Sequence, residues 1–209
     1  MKALLDRWLG PRKAANAVRW VVVDCETSGL DVARDRLLSI GAVALQEGRI
    51  GIADAFSRLL RQATPSGTDN ILVHGIGGDA QAAGEEPARV LREFAAFADE
   101  GPLVAFHAPF DRAMLERAMR THGLRWKRKW LDVADLLRVL YAARAKKCRG
   151  LDDWLQAFAI PHDSRHDALG DAFATAQLMQ VALQEAQRHG FATAREILGA
   201  SAARRWSGT

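Results

Sequence analysis

The sequence predicts an α/β fold in which a central mixed five-stranded sheet is flanked by helices. Over the first third of the chain, apolar residues recur with a period near two in three runs, 19–24, 36–46 and 49–60. From Glu86 onward the period lengthens to about 3.6, and helical stretches alternate with two short strand-like runs. At 209 residues and 49% apolar, the chain is long enough for one substantial core and short enough for one domain with small extensions.

Taken in order, residues 1–14 pattern as an amphipathic helix, with Leu4, Leu5, Trp8 and Leu9 on one face and Lys2, Arg7, Arg12 and Lys13 elsewhere, interrupted by Pro11. Residues 1–18 are therefore expected to be a helical extension, 19–190 the main domain and 191–209 a helical tail. The β-branched run 19–24, bounded by Thr27-Ser28-Gly29, reads as a buried strand. The runs 36–46 and 49–60 read as two more strands joined by a tight turn at Glu47-Gly48, and 64–70 reads as loop. Pro87 suits a first helical turn, and Val90, Leu91, Phe94 and Phe97 form a stripe that ends near Gly101-Pro102. Strand 103–106, helix 109–122 stopped by Gly123, strand 129–133, helix 134–145, a short helix 151–158 and a long one 165–188 complete the series. Ser164 and Asp167 have capping-box spacing at the start of that last helix.

No apolar run approaches 18 residues, and the first ten residues lack a signal peptide's continuous apolar stretch. A cytoplasmic protein without membrane partners is expected. Cys25 and Cys148 are too few for a disulfide framework, and no zinc-ligand spacing occurs. Charge is uneven: eleven Lys or Arg between Arg117 and Arg149 face only Asp132 and Asp135, a net +9, so the remainder of this +4 chain carries −5. A basic shoulder beside an acidic centre suits a polyanionic substrate, and Trp126 and Trp130 around Lys127-Arg128-Lys129 add aromatic surface or core.

The acid that matters chemically falls in three islands: Asp24 and Glu26, Asp111, and Asp171. Each adjoins apolar sequence, so folding would gather like charges where water is scarce, which is costly without a neutralising cation. Oxygen ligands of this kind suit Mg²⁺ or Mn²⁺, and two such ions can clamp both the attacking and the leaving oxygen of a phosphodiester. A metal-dependent nuclease is the reading that follows. Asp24 and Glu26, two apart at a strand's end, leave one face together, and Thr27, Ser28 and Gly29 add hydroxyls and amides for a terminal nucleotide. Asp111 falls in the first turn of its helix, where the dipole favours a carboxylate. His166 and Asp171 are five apart, about 140° around a regular helix, so His166 must stand at the helix entrance to share the site. From there an imidazole can take the proton of an attacking water.

These islands, in this order, resemble the motifs of the DEDDh exonuclease family, to which the proofreading epsilon subunit of bacterial DNA polymerase III belongs. Asp24-Cys-Glu-Thr-Ser-Gly-Leu30 resembles its first motif, and His166-Asp-Ala-Leu-Gly-Asp171 has the spacing of its third. A tyrosine-type relative would carry Tyr at 167, where Asp stands. The resemblance spans about residues 19–185 and implies a ribonuclease H-like fold. It further implies that Asp24, Glu26, Asp111 and Asp171 hold two Mg²⁺ or Mn²⁺ ions, that His166 is the general base, and that 5′-mononucleotides leave a 3′ end. His74 and Ile76, in a segment similar to the family's His-Gly-Ile, and His107 and Phe110 would contact the terminal nucleotide. The second motif departs from the family pattern, with Phe106 and His107 where His and Asn are common, and Cys25 stands between the first two acids.

The expected substrate is the 3′ end of single-stranded DNA, in proofreading or end-processing, with a DNA polymerase as a possible partner. An RNA 3′-exonuclease of the same family and a non-catalytic nucleic-acid-binding polymerase subunit are the alternatives. A dinucleotide fingerprint formally fits Gly75-Ile-Gly-Gly-Asp-Ala80, with Asp99 downstream, but needs a strand running directly into a helix at those glycines.

Overall fold

In the computed structural model, which describes residues 13–162 and 166–206, β1 (Trp20–Thr27), β2 (Leu37–Gln46) and β3 (Arg49–Leu59) form an antiparallel meander. β4 (Leu103–Ala105) pairs with β1 in parallel and β5 (Trp130–Asp132) with β4, giving the order β3-β2-β1-β4-β5. Alternation along β1 sends Trp20 and Val22 into one core and Val21, Val23 and Cys25 into the other. The unbroken apolar run at 20–23 thus reflects a strand buried on both faces. The β2–β3 turn falls at Glu47-Gly48, with φ of 53° and 73°, the left-handed pair whose twist matches the strands it joins.

Helices α1 (Thr68–His74), α2 (Gly78–Ala83), α3 (Pro87–Ala98), α4 (Pro109–Thr121), α5 (Val133–Leu140), α6 (Ala142–Ala145), α7 (Leu151–Ala157), α8 (Ala168–Arg188) and α9 (Ala194–Trp206) follow. α5, α7, α8 and α9 cover the Trp20 face, and α3 and α4 cover the Val21 face. α9 also closes the β5 edge: the Ser201 hydroxyl accepts from the Asp132 N–H (3.2 Å) and donates to the Asp132 carbonyl (3.0 Å). Among the described residues, no helix is long and apolar enough to cross a membrane.

Four local expectations change. The loop expected at 64–70 passes into α1 at Thr68, and α2 takes in Gln81 to Ala83, where no helix is expected. Neither helix reaches two and a half turns, and Leu72 and Val73 on α1 are exposed, so neither shows a buried stripe. α1 stops at Gly75, whose φ of 70° suits a left-handed cap. The helix expected over 134–145 breaks at Tyr141 into α5 and α6. The last long helix begins at Ala168 and not 165, with the Asp167 carboxylate accepting the Gly170 N–H at 3.0 Å. The Ser164 cap and most of the 1–14 helix lie outside the described residues.

Part of the basic stretch, Lys127 to Lys129, lies away from the acids it is expected to flank. Because β1, β4 and β5 are parallel and in register, Trp130 is level with Val21, three residues before Asp24, and Lys127 to Lys129 enter the sheet from its amino end. The acids sit toward the carboxyl end of β1. Trp126 is half-buried against Phe94, ring centroids 5.7 Å apart, with Arg128 over its outer face.

Candidate active site

Asp24 and Glu26 lie on the face of β1 that α8 covers, and the reason α8 comes so close is Gly41. Gly41 pairs across the sheet with Asp24, and a Cβ there would lie 2.2 Å from the backbone of Ala168 and Leu169. The missing side chain lets the first turn of α8 rest on the strand pair. That turn carries Asp171 inward, and the ligand atoms of Glu26, His166 and Asp171 all lie within 4.8 Å of one another. Glu26 is 9% exposed and Asp171 6%, whereas His166 is exposed, at the helix entrance that its spacing requires. His166 adopts φ of 60°, a left-handed conformation that costs a non-glycine residue roughly 1–2 kcal/mol.

Asp111 reaches the same end of β1 from the opposite face, in the first turn of α4. It is 5% exposed, and its carboxylate accepts hydrogen bonds from its own backbone and from the thiol and backbone N–H of Cys25. Burial pushes its pKa from 3.8 up to about 7; those hydrogen bonds oppose the rise, and the nearby charge of Asp132 adds to it. The Cys25 thiol is raised by burial and then by the charges of Asp111, Asp24 and Glu26, which places all three acids around one strand residue. Asp132 itself caps α5 and also accepts the His107 N–H at 3.2 Å. His107, with φ of 59°, is exposed and lies against the Phe106 ring, centroids 4.6 Å apart; Phe110 is half-buried in the first turn of α4.

The residues expected to meet the terminal nucleotide form a shelf beside these acids, and several use their side chains internally. Thr27 donates to the Gly29 carbonyl (2.7 Å). The Ser28 hydroxyl donates to Asp35 (3.0 Å) and accepts the Arg36 N–H (2.9 Å), while Asn70 of α1 donates to the Ser28 carbonyl. Gly29 passes so near that a Cβ would meet the Asp35 carboxylate at 2.4 Å. His74 is buried, with Nδ1 accepting the Ile76 N–H (3.0 Å) and Nε2 facing the Ser66 hydroxyl (3.3 Å), a pattern that makes Nε2 the protonated nitrogen. Burial, together with the charge of His166, holds its pKa below the ordinary histidine value. Beneath it Gln81, fully buried, donates to the Ser66 hydroxyl and the Ile76 carbonyl and accepts the Ser66 N–H.

Gly41, Gln81, Cys25 and His162 were not singled out by pattern as parts of the site. His162, beyond α7, places Nε2 2.6 Å from Oδ1 of Asp171. Nothing in the sequence marks it, since it stands outside the His-x₄-Asp spacing. Of the glycines of the formal dinucleotide fingerprint, Gly75 and Gly77 lie between α1 and α2 and Gly78 opens α2, so a helix precedes them where that fingerprint needs a strand.

Comparison with known proteins gives a consistent result. The exonuclease family model matches residues 21–179. A DNA polymerase III subunit epsilon-like protein of Rhodobacter capsulatus is 33% identical over 181 residues, 86% of this chain and 26% of that protein. A PolC-type DNA polymerase III of Halalkalibacterium halodurans is 32% identical over 180 residues, 86% of this chain and 12% of that protein. The chain thus spans about a quarter or less of these relatives' lengths. Among solved structures, E. coli exonuclease I in complex with an oligonucleotide superposes with a TM-score of 0.71 at 19% identity, covering 83% of this chain and 42% of that one. Exonuclease X in complex with 5′-overhanging duplex DNA gives a TM-score of 0.66 at 21% identity, covering 87% and 99%. At these identities the likeness to the solved structures is one of fold, a ribonuclease H-like α/β architecture.

Proposed function

This chain belongs to the exonuclease family, and from that premise we propose that it is a metal-dependent 3′–5′ exodeoxyribonuclease that releases 5′-mononucleotides from DNA ends. The observation that carries the reading is the convergence of Glu26, His166 and Asp171 within 4.8 Å, on a strand whose other face meets Asp111. The donor set fits hard divalent cations: four carboxylates and an imidazole, with three of the acids at 9% exposure or less and Asp111 driven toward its neutral form by burial. Asp24, Glu26, Asp111 and Asp171 would hold two Mg²⁺ or Mn²⁺ ions, which would supply positive charge to the attacking and leaving oxygens of the scissile phosphate.

The chain's own residues do the rest. His166, exposed at the entrance of α8, takes the proton of the attacking water, and its fixed left-handed backbone aims the ring across Glu26 and Asp171. The shelf formed by 27–30 and 74–76 would receive the terminal nucleotide through backbone groups and through Leu30 and Ile76, with His107, just before α4, and Phe110, in its first turn, as further contacts. DNA is preferred as substrate because the epsilon-like and PolC-type relatives are DNA polymerase III proteins, and the module would work free-standing or with a polymerase.

The test is degradation of 5′-labelled single-stranded DNA and RNA of matched sequence with Mg²⁺, Mn²⁺ or EDTA. The expected result is a DNA ladder shortening from the 3′ end, absent with EDTA and in an Asp24→Ala/Glu26→Ala variant. Cleavage that survives EDTA, faster cleavage of RNA, or none of either polymer would refute the proposal.

A further inference from the structure

His162 contacts the site from a segment that carries none of the motif residues, and its position is built by the chain before it. α7 ends in a Schellman cap: the Ala159 N–H bonds the Gln156 carbonyl (3.1 Å) and the Ile160 N–H bonds the Leu155 carbonyl (2.9 Å). Ala159 takes φ of 53° at the position where glycine is usual. Phe158 and Ile160 on either side pack onto the core beneath α8, and Pro161 then restricts the backbone leading into His162. The imidazole arrives with its side chain 9% exposed, against an Asp171 side chain also 9% exposed.

Toward a carboxylate oxygen the imidazole is the donor, so Nε2–H of His162 bonds Oδ1 of Asp171 at 2.6 Å, while the backbone N–H of His166 bonds Oδ2 at 3.2 Å. Among the described residues, each oxygen of Asp171 is thus held by one donor, from His162 and from His166. An oxygen that accepts one hydrogen bond keeps a second lone pair, so this clamp fixes the plane of the carboxylate and leaves it able to bind a cation.

We infer that His162 is a positioning residue for Asp171, orienting that carboxylate for the divalent cation and taking no proton in the reaction. The inference rests on Asp171 being a metal ligand, as proposed above. Outer-sphere donors of this kind set metal affinity by roughly 10–100-fold. His162→Leu removes the donor, His162→Gln returns an amide N–H near the place of Nε2, and His162→Asn carries an amide too short to reach.

Mn²⁺ binding is measured without substrate, by calorimetry and by metal-induced thermal stabilisation, and then as the metal dependence of single-stranded DNA turnover. His162→Leu and His162→Asn should raise the half-saturating Mn²⁺ concentration roughly 10–100-fold in both assays. Their kcat at saturating metal should fall less than about tenfold, and His162→Gln should recover most of the affinity. Should Leu prevent folding, the Asn and Gln variants carry the same comparison. Unchanged half-saturation in the Leu or Asn variants, or a Gln variant as impaired as both, overturns the inference. A wild-type chain with no metal-dependent turnover would instead overturn the nuclease proposal itself.

Discussion

Replacing Asp111 by Asn should make the metal-free protein more stable at alkaline pH while abolishing turnover. Asp111 is 5% exposed and its pKa is pushed from 3.8 up to about 7. Between those values the folded chain holds a proton that the unfolded chain has released, so metal-free stability is complete below 3.8 and falls as pH rises through about 7. At about 1.4 kcal/mol per pH unit, the loss approaches about 4 kcal/mol, and about 2–3 kcal/mol of it accrues between about pH 5 and about pH 8. Asn keeps an acceptor for the Cys25 N–H and removes the charge. Its own costs, a weakened thiol hydrogen bond and about 0.3–1 kcal/mol of helix-dipole interaction, do not follow this titration. The informative quantity is therefore the difference between variant and wild type, measured by urea unfolding in EDTA at both pH values. That difference should move in the variant's favour by about 2–3 kcal/mol from the lower to the higher pH. Added Mn²⁺ should stabilise wild type more than the variant, because binding to the folded state alone stabilises it by mass action. A difference independent of pH, or one that grows in favour of wild type, would refute the claim that this carboxylate is a buried charge awaiting a cation.

Gly41→Ala would force its Cβ against the Ala168–Leu169 backbone, 2.2 Å away, and displace the first turn of α8 by about an ångström; turnover should fall roughly 100-fold with the far-ultraviolet circular dichroism preserved. Wild-type turnover in that variant would show that α8 has slack. Ser201→Ala would leave the N–H and carbonyl of Asp132 without their partner on α9, and urea titration should register a loss of about 1–3 kcal/mol. Gln81→Leu strands the Ser66 N–H and the Ile76 carbonyl under the nucleotide shelf, so KM for single-stranded DNA should rise several-fold while the Mn²⁺ requirement stays at the wild-type level. A changed metal requirement without a changed KM would place Gln81 in a different role.

The fold was legible where burial imposes a period. The two-faced burial of β1, the left-handed pair at Glu47-Gly48 and the stripe of α3 all follow from hydrophobic pattern and turn chemistry in adjacent residues. α1 and α2 were not legible, because they bury a polar interior instead of an apolar stripe. His74, Ser66 and Gln81 satisfy one another beneath them, and polar residues leave no hydrophobic period for the sequence to show. The far position of Lys127 to Lys129 was equally hidden, since charge density along a chain says nothing about which end of a parallel sheet the segment enters.

At the site the same division holds between residues whose type is demanded by chemistry and residues defined by what they touch. The proposed cation takes oxygen ligands, so Asp24, Glu26, Asp111 and Asp171 can be picked out as its candidate ligands by type and spacing. Gly41 matters through a backbone 127 residues later, and His162 through an aspartate nine residues on, across residues 163–165. Ser28 and His74 show the converse: each is expected to contact the terminal nucleotide, yet the hydroxyl proton of Ser28 is committed to Asp35 and both ring nitrogens of His74 are engaged by Ile76 and Ser66. A contact from either side chain to a sugar hydroxyl would have to displace one of these bonds, at a cost of about 1–3 kcal/mol for each buried group left unpaired. On the proposed reading, discrimination between ribose and deoxyribose would therefore fall to backbone groups of this shelf, where Asn70 holds the Ser28 carbonyl and Gln81 the Ile76 carbonyl from behind.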